Sequence, residues 1–232
     1  MKRLAIIPAR GGSKRIPRKN VIDFFGKPII SYPIEAALQS SLFDEVHVST
    51  DDEEIATIAK KAGASLPFMR EARFADDFTP VLEVARFVLK KYKDQNKEFD
   101  SFTMIMPCSP LITSEDLIKA NSIFEMHKLS TPVLSVSKYP SPIEWAFKEN
   151  NSILEIADSS KLTIRSQDLT DSYFDTGNFS IQNAKEVLSN NSMVPDKFLK
   201  YEIDRLRAVD IDAMDDFILL KQIFKFLQGR NS

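Results

Sequence analysis

The sequence predicts an α/β fold, a three-layer α/β/α sandwich on a mostly parallel sheet. Three observations carry that prediction. Short apolar runs alternate with stretches of helical periodicity as far as about residue 137, the pattern of repeated strand–helix units. The first run, Leu4-Ala5-Ile6-Ile7, is uniformly apolar, as a strand buried on both faces must be. It breaks at Pro8 into a glycine-containing loop, and ligands in such sheets bind beyond the carboxyl ends of the strands.

The elements follow in order. Residues 4–7 form the first strand, and residues 28–41 are predicted as a helix with Pro28 in its first turn, where a missing N–H is harmless. Residues 45–49 are the second strand. Thr50-Asp51-Asp52 then caps a helix whose Ile55, Ile58, Ala59 and Ala62 recur at helical spacing, and Gly63 ends it. Residues 80–93 present Val81, Val84, Ala85, Val88 and Leu89 on one helical face. Residues 99–106 are a strand, Thr113-Ser114-Glu115-Asp116 is a capping sequence, and residues 132–137 are another strand. From Lys138 to about Phe179 periodicity weakens, and Pro140, Pro142 and Asn150-Asn151 mark short strands and loops projecting from the sheet. Order returns with a strand at 179–182, a helix at 184–189, a strand at 201–203 and an amphipathic helix at 215–228. Residues 1–232 read as one domain, with 138–179 as an excursion.

Composition excludes several classes of function. A net charge of −2 supplies no broad positive field for nucleic acid or a membrane surface. One cysteine, Cys108, permits no internal disulfide, and with two histidines it permits no zinc cluster. Any metal must be a hard cation held by carboxylates. No apolar run reaches membrane-spanning length, and the cytoplasm is the expected compartment.

The most informative stretch is residues 7–20. It places Arg10, Lys14, Arg15, Arg18 and Lys19 around Gly11-Gly12-Ser13. Glycines let backbone amides approach an anion, and the cations supply what phosphate oxygens need. The spacing fits neither a Walker loop nor a dinucleotide fingerprint. The bland alternative is a solvated basic loop, but five cations crowded onto a strand end argue for a polyphosphate site.

This run resembles the N-terminal signature of the CMP-sugar synthetases, cytidylyltransferases that activate sialic and related nonulosonic acids. Lys14-Arg15-Ile16-Pro17 is more similar to the pseudaminic acid branch than to the Lys-Gly-Ile-Pro of many sialic acid enzymes. The resemblance continues through Pro67-Phe68-Met69-Arg70 with Asp76-Asp77-Phe78-Thr79, where Glu71 replaces a usual proline. It continues through Pro107-Cys108-Ser109-Pro110-Leu111, where Met106 stands for a common glutamine. It implies a Rossmann-like sheet of the nucleotide-diphospho-sugar transferase type. It also implies CTP and a nine-carbon acidic sugar as substrates, and a homodimer joined through the excursion and its Trp145, Phe147 and Ile153. Packing of those residues back onto their own sheet is the alternative.

Asp210-Ile211-Asp212 is the second constellation. On an extended segment both carboxylates face one side, which suits Mg²⁺ completed by waters and phosphate oxygens. The alternative is that Asp212 merely caps the last helix. The resemblance favours metal. The third constellation is Arg165-Ser166-Gln167-Asp168 with Tyr173-Phe174-Asp175-Thr176-Gly177. Arg165, Gln167, Tyr173 and Asp175 are similar to the residues with which the family gathers the sugar, although Arg165 and Asp168 are also spaced to pair on the surface. The expected roles are therefore set. Arg10, Lys14, Lys19 and Asp212 serve catalysis. Ala9, Arg10, Gly11, Gly12, Ser13, Lys19, Asn20, Arg70, Thr79 and Ser109 bind nucleotide, the amides of residues 11–13 cradling pyrophosphate. A legionaminic or N-acetylneuraminic acid enzyme, or a non-catalytic nucleotide-binding module, is the alternative. Cys108, His47 and His127 are expected to carry no chemistry.

Overall fold

A computed structural model of the chain describes residues 1–157, 159–189 and 195–230. The strands are β1 (Arg3–Pro8), β2 (Asp23–Phe24), β3 (Lys27–Pro28), β4 (Glu45–Ser49), β5 (Ser101–Ile105), β6 (Val133–Lys138), β7 (Phe147–Asn150), β8 (Ile153–Ile156), β9 (Tyr173–Asn183) and β10 (Leu199–Glu202). The helices are α1 (Ser31–Gln39), α2 (Glu53–Lys61), α3 (Val81–Asp94), α4 (Ser114–Met126), α5 (Ala184–Ser189) and α6 (Met214–Arg230). Six strands make one sheet in the order β10-β6-β9-β5-β1-β4. It is parallel except for β9, which runs antiparallel to both β5 and β6.

The sheet is covered on both faces, as the sequence predicts. Ala5 and Ile7 of β1 pack with residues of α1, α2 and α4, including Ile34, Ile55 and Leu117. The alternate residues Leu4 and Ile6 pack with α3 and α5 through Val88, Tyr92 and Val187. The period of two along a strand thus divides one apolar run between two layers. Both predicted caps are present. Asp52 accepts from the Ile55 amide at 3.0 Å, and Thr113 and Asp116 form a reciprocal capping box.

Two predicted boundaries are corrected. Pro28 lies in β3 rather than in a helical turn. Phe25 and Gly26, with φ of 53° and 85°, form the two-residue turn that folds β3 back on β2, and α1 begins only at Ser31. The excursion also ends earlier than Phe179, because β9 starts at Tyr173. It contains a hairpin, β7–β8, whose turn residues Asn151 and Ser152 both have positive φ.

A third apolar cluster positions the site. Ile16 of the basic loop, Phe24, Ile29, Cys108, Ile211 and Phe217 are buried together. The basic loop and the aspartate segment are therefore anchored on shared packing, although they lie at opposite ends of the chain.

Candidate active site

A cleft of about 520 Å³ opens beyond the carboxyl ends of β1 and β5. Its lining includes Pro8, Arg10, Ser13, Lys14, Arg15, Lys19 and Asn20 from the basic loop, and Arg70, Phe74, Asp76, Asp77 and Thr79 from the segment before α3. Val81, Val84, Met106, Pro107 and Asp212 complete it. Arg10, Lys14, Arg15, Lys19 and Arg70 bring five cations against the three carboxylates of Asp76, Asp77 and Asp212. That excess suits a polyanion.

Contacts around the basic loop are specific. Lys19 Nζ donates to the Ile211 carbonyl at 2.7 Å, between the two aspartates, and Arg15 pairs with Asp212 at 2.7 Å. Asp77 takes Arg10 at 2.7 Å and Lys14 at 2.5 Å, and Lys14 and then Arg10 hold its carboxyl below the usual range. Asn20 is buried; its amide donates to the Arg10 carbonyl at 2.9 Å, fixing the start of the loop. Arg18 turns away to Asp52 and Glu54, which raise its pKa. Gly11 is required by close approach, since a Cβ there would meet Asp52 Oδ2 at 2.7 Å.

The amides of residues 11–13 are more engaged than expected. Gly11 donates to Asp51 at 3.0 Å and Ser13 to the Gly11 carbonyl at 3.0 Å. These bonds shape the loop, and cradling a phosphate with those two amides requires exchanging them. Cations, rather than amides, present themselves to the cleft.

Arg70 is buried and lined up by Ser49: Nε donates to Oγ at 3.1 Å and Nη2 to the carbonyl at 2.5 Å. Burial pushes its pKa down to about 10, against the attraction of Asp51. Asp210 is shifted upward, by burial first and then by Asp212, with Asp175 adding to it. Gly177 lies against it, so that a Cβ there would be 3.2 Å from Asp210 Oδ2. Asp212 does not cap α6; Asp216 does, accepting the amides of Asp212 at 2.9 Å and Ala213 at 2.7 Å. The Asp212 carboxylate is thereby left to the cleft.

A carboxylate whose protonation is favoured first by burial and then by a neighbouring carboxylate fits a hard dication, which relieves that repulsion. Among the described residues no group of three or more His, Cys, Asp or Glu is placed to hold a metal. Waters and substrate phosphates would have to complete the coordination of such an ion, as Mg²⁺ prefers.

The remaining predicted residues lie apart from the cleft. Ala9 and Ser109 are buried, and Gly11, Gly12 and Asp210 are not among the residues that line it. Arg165, with its side chain 73% exposed, pairs with Asp168 at 3.0 Å, the surface alternative. Gln167 lines a separate cavity of about 360 Å³ with Lys138, Tyr139 and Pro142. The Tyr173 hydroxyl accepts from Lys200 at 2.6 Å, and Asp175 accepts the Gly177 amide at 2.8 Å. Arg15, counted in the sequence among the five cations of the loop, also lines the cleft, as do Asp76 and Asp77, which belong to a quoted motif but are not among the expected site residues. Cys108 is buried with its thiol pushed up to about 12 by burial, which excludes it as a nucleophile at neutral pH. His47 is equally buried, its pKa lowered to about 3 by burial and then by Arg70.

Comparison with known proteins shows the family. Residues 4–194 match the family model described as "Cytidylyltransferase", and the chain belongs to that family of nucleotidyltransferases. It is 39% identical over 227 residues, 97% of each chain, to the pseudaminic acid cytidylyltransferase of Campylobacter jejuni subsp. jejuni serotype O:2. It is 32% identical, over 98% of each chain, to the CMP-N,N'-diacetyllegionaminic acid synthase of Legionella pneumophila. The solved structure of CMP:2-keto-3-deoxy-manno-octonic acid synthetase complexed with CTP shares the fold, with a TM-score of 0.70 at 18% identity over 97% of this chain and 99% of that one.

Proposed function

We propose that this enzyme transfers the cytidylyl group of CTP to the anomeric hydroxyl of a nonulosonic acid, pseudaminic acid before its relatives, and releases pyrophosphate. In this reaction the bond from the sugar oxygen to the α-phosphorus forms as the bond to the β-phosphate breaks. One observation carries the reading. Lys19 and Arg15 tie the polyphosphate loop to the Asp210–Asp212 segment, so that cations for the leaving group share a cleft with Asp212, one of the two carboxylates for a dication. The similarity to the pseudaminic acid enzyme of Campylobacter jejuni supports the choice of sugar.

The chain's own residues supply position and charge. Arg10, Lys14 and Lys19 neutralise the charge that develops on pyrophosphate, and their orientation before the reaction makes them effective. Arg70, Asn20 and Thr79 set the nucleotide against α3. Asp210 and Asp212 would hold Mg²⁺, which supplies polarisation of the α-phosphate and a lowered pKa for the attacking hydroxyl. Arg165, Gln167, Tyr173 and Asp175 would meet the sugar only after the excursion moves or a second subunit completes the site. A homodimer joined through β7–β8 is part of the same proposal, because every residue of those two strands is exposed. A lone buried cysteine and the absence, among the described residues, of a helix long and apolar enough to cross a membrane accord with a cytoplasmic enzyme acting on small molecules.

The test is pyrophosphate release with Mg²⁺ and each nucleoside triphosphate in turn. Release with CTP and pseudaminic acid, and not with CTP alone, is expected. Release without any sugar, or none with any nonulosonic acid, contradicts the proposal.

A further inference from the structure

Asp77 does more than border the cleft. Its two carboxylate oxygens are divided between Arg10 Nη1 at 2.7 Å and Lys14 Nζ at 2.5 Å. Arg10 Nη1 also donates to the Asp76 carbonyl at 2.5 Å. The backbone that carries Asp77 is itself fixed, because Asp76 Oδ1 accepts the amides of Phe78 at 2.9 Å and Thr79 at 2.6 Å. Among the described residues, Asp77 and the Asp76 carbonyl are the partners that hold these two heads. Gly11 and Gly12 lie between the two cations, and the Lys14 side chain is 80% exposed. Two like charges on such a loop would swing apart into water without a shared counter-ion.

We infer that Asp77 is a positioning residue that holds Arg10 and Lys14 side by side for the terminal phosphates of the nucleotide. This rests on the reading of the cleft as the CTP site. A carboxylate between two phosphate-binding cations could instead compete with the phosphate, and geometry separates the two roles. Both Arg10 contacts use Nη1, so the Nη2 side of the guanidinium fork remains for a phosphate oxygen. Lys14 has three donors, and Asp77 takes one. Ligand and Asp77 are therefore bound together, and the carboxylate need not be displaced. The half-exposed setting also keeps its repulsion of the ligand small.

The experiment is calorimetric titration of the full chain with CTP and with CMP, for the wild type, Asp77→Asn and Asp77→Glu. Asp77→Asn should bind CTP about tenfold more weakly, a loss of the size expected for disordered charge-assisted contacts, and CMP unchanged. Asp77→Glu keeps the charge and should recover to within about threefold of the wild type. A purely structural role would weaken CMP and CTP alike, and that outcome overturns the inference. Unchanged or tighter CTP binding by Asp77→Asn overturns it as well, because it would make Asp77 a bystander or a competitor. If Asp77→Asn fails to fold, Asp77→Glu decides: CTP weakened together with CMP rejects the inference, and both retained supports it. Wild-type protein that binds neither nucleotide would reject the reading of the cleft itself, a result distinct from all of these.

Discussion

Arg70 reaches across to Ser49, with Nε 3.1 Å from the hydroxyl and Nη2 2.5 Å from the carbonyl. It has no carboxylate at ion-pair distance among the described residues. A buried cation so placed is costly to the fold, and the anion it lacks is the one the substrate brings. Arg70→Met is therefore expected to leave the thermal midpoint unchanged or higher. CTP binding should weaken by roughly 10- to 100-fold, the range for a lost charged hydrogen bond. Thermal unfolding with and without CTP checks both. A variant that lost stability but kept its CTP affinity would make Arg70 a structural residue.

Asp212 and Asp216 separate metal from helix capping. Asp216 accepts the two amides at the start of α6, so Asp216→Ala should cost about 1 kcal/mol of stability. Asp212→Asn should cost little stability and abolish Mg²⁺-dependent turnover, since an amide lacks the charge that holds the ion. Calorimetry of Mg²⁺–CTP binding gives the metal readout. Unchanged metal affinity in Asp212→Asn and Asp210→Asn would remove the pair from the metal site.

His47 makes stability depend on pH. Its pKa falls from 6.5 to about 3, because burial and then Arg70 disfavour the cation. The folded state therefore binds fewer protons than the unfolded chain between those values, and stability rises with pH. The contribution is complete above 6.5 and is lost as pH falls toward 3. At pH 5 the protein should be roughly 2 kcal/mol less stable than at pH 8 from this group alone. His47→Phe keeps an aromatic ring against Phe68 and Tyr92 and should flatten the slope between pH 5 and 7 in denaturant titrations.

Much of this was readable beforehand, for physical reasons. Periodicity separates two-sided burial in β1 from the one-sided face of α3, and Asp52 and Thr113 announce their helices by side-chain chemistry. The polyphosphate loop was legible because charge and glycine are local. What was not legible depended on partners far away in sequence. Gly11 and Ser13 look like free amide donors until Asp51 and the loop's own carbonyl are in place. Asp77 looks like one more acid until Arg10 and Lys14 are seen on it. Pro28 reads as part of a helix in the sequence because Phe25, an unusual residue for positive φ, hides the turn. The placement of Arg165 was open in the sequence, and the chain as it stands pairs it with Asp168.

The hairpin tests the dimer. Phe147, Ile153 and Leu154 are 56%, 65% and 66% exposed, so charge there should not disturb the monomer's own core. The wild type is expected to sediment at twice 26.4 kDa at micromolar concentration. Ile153→Glu with Leu154→Lys should sediment as monomer with its thermal midpoint lowered only by loss of the partner. A wild-type monomer would reject the dimer and leave the nucleotide chemistry as it is.

The central claim is the pairing of this cleft with CTP and one acidic sugar. The most direct measurement offers pseudaminic acid and N-acetylneuraminic acid together, with CTP and Mg²⁺, and identifies the products by mass. The account predicts a CMP-linked pseudaminic acid formed with kcat/KM roughly 100-fold above that of its competitor, as a site matched to polar substituents discriminates. Equal use of both sugars, or a preference for N-acetylneuraminic acid, would contradict the choice of substrate. No CMP-sugar at all would contradict the account.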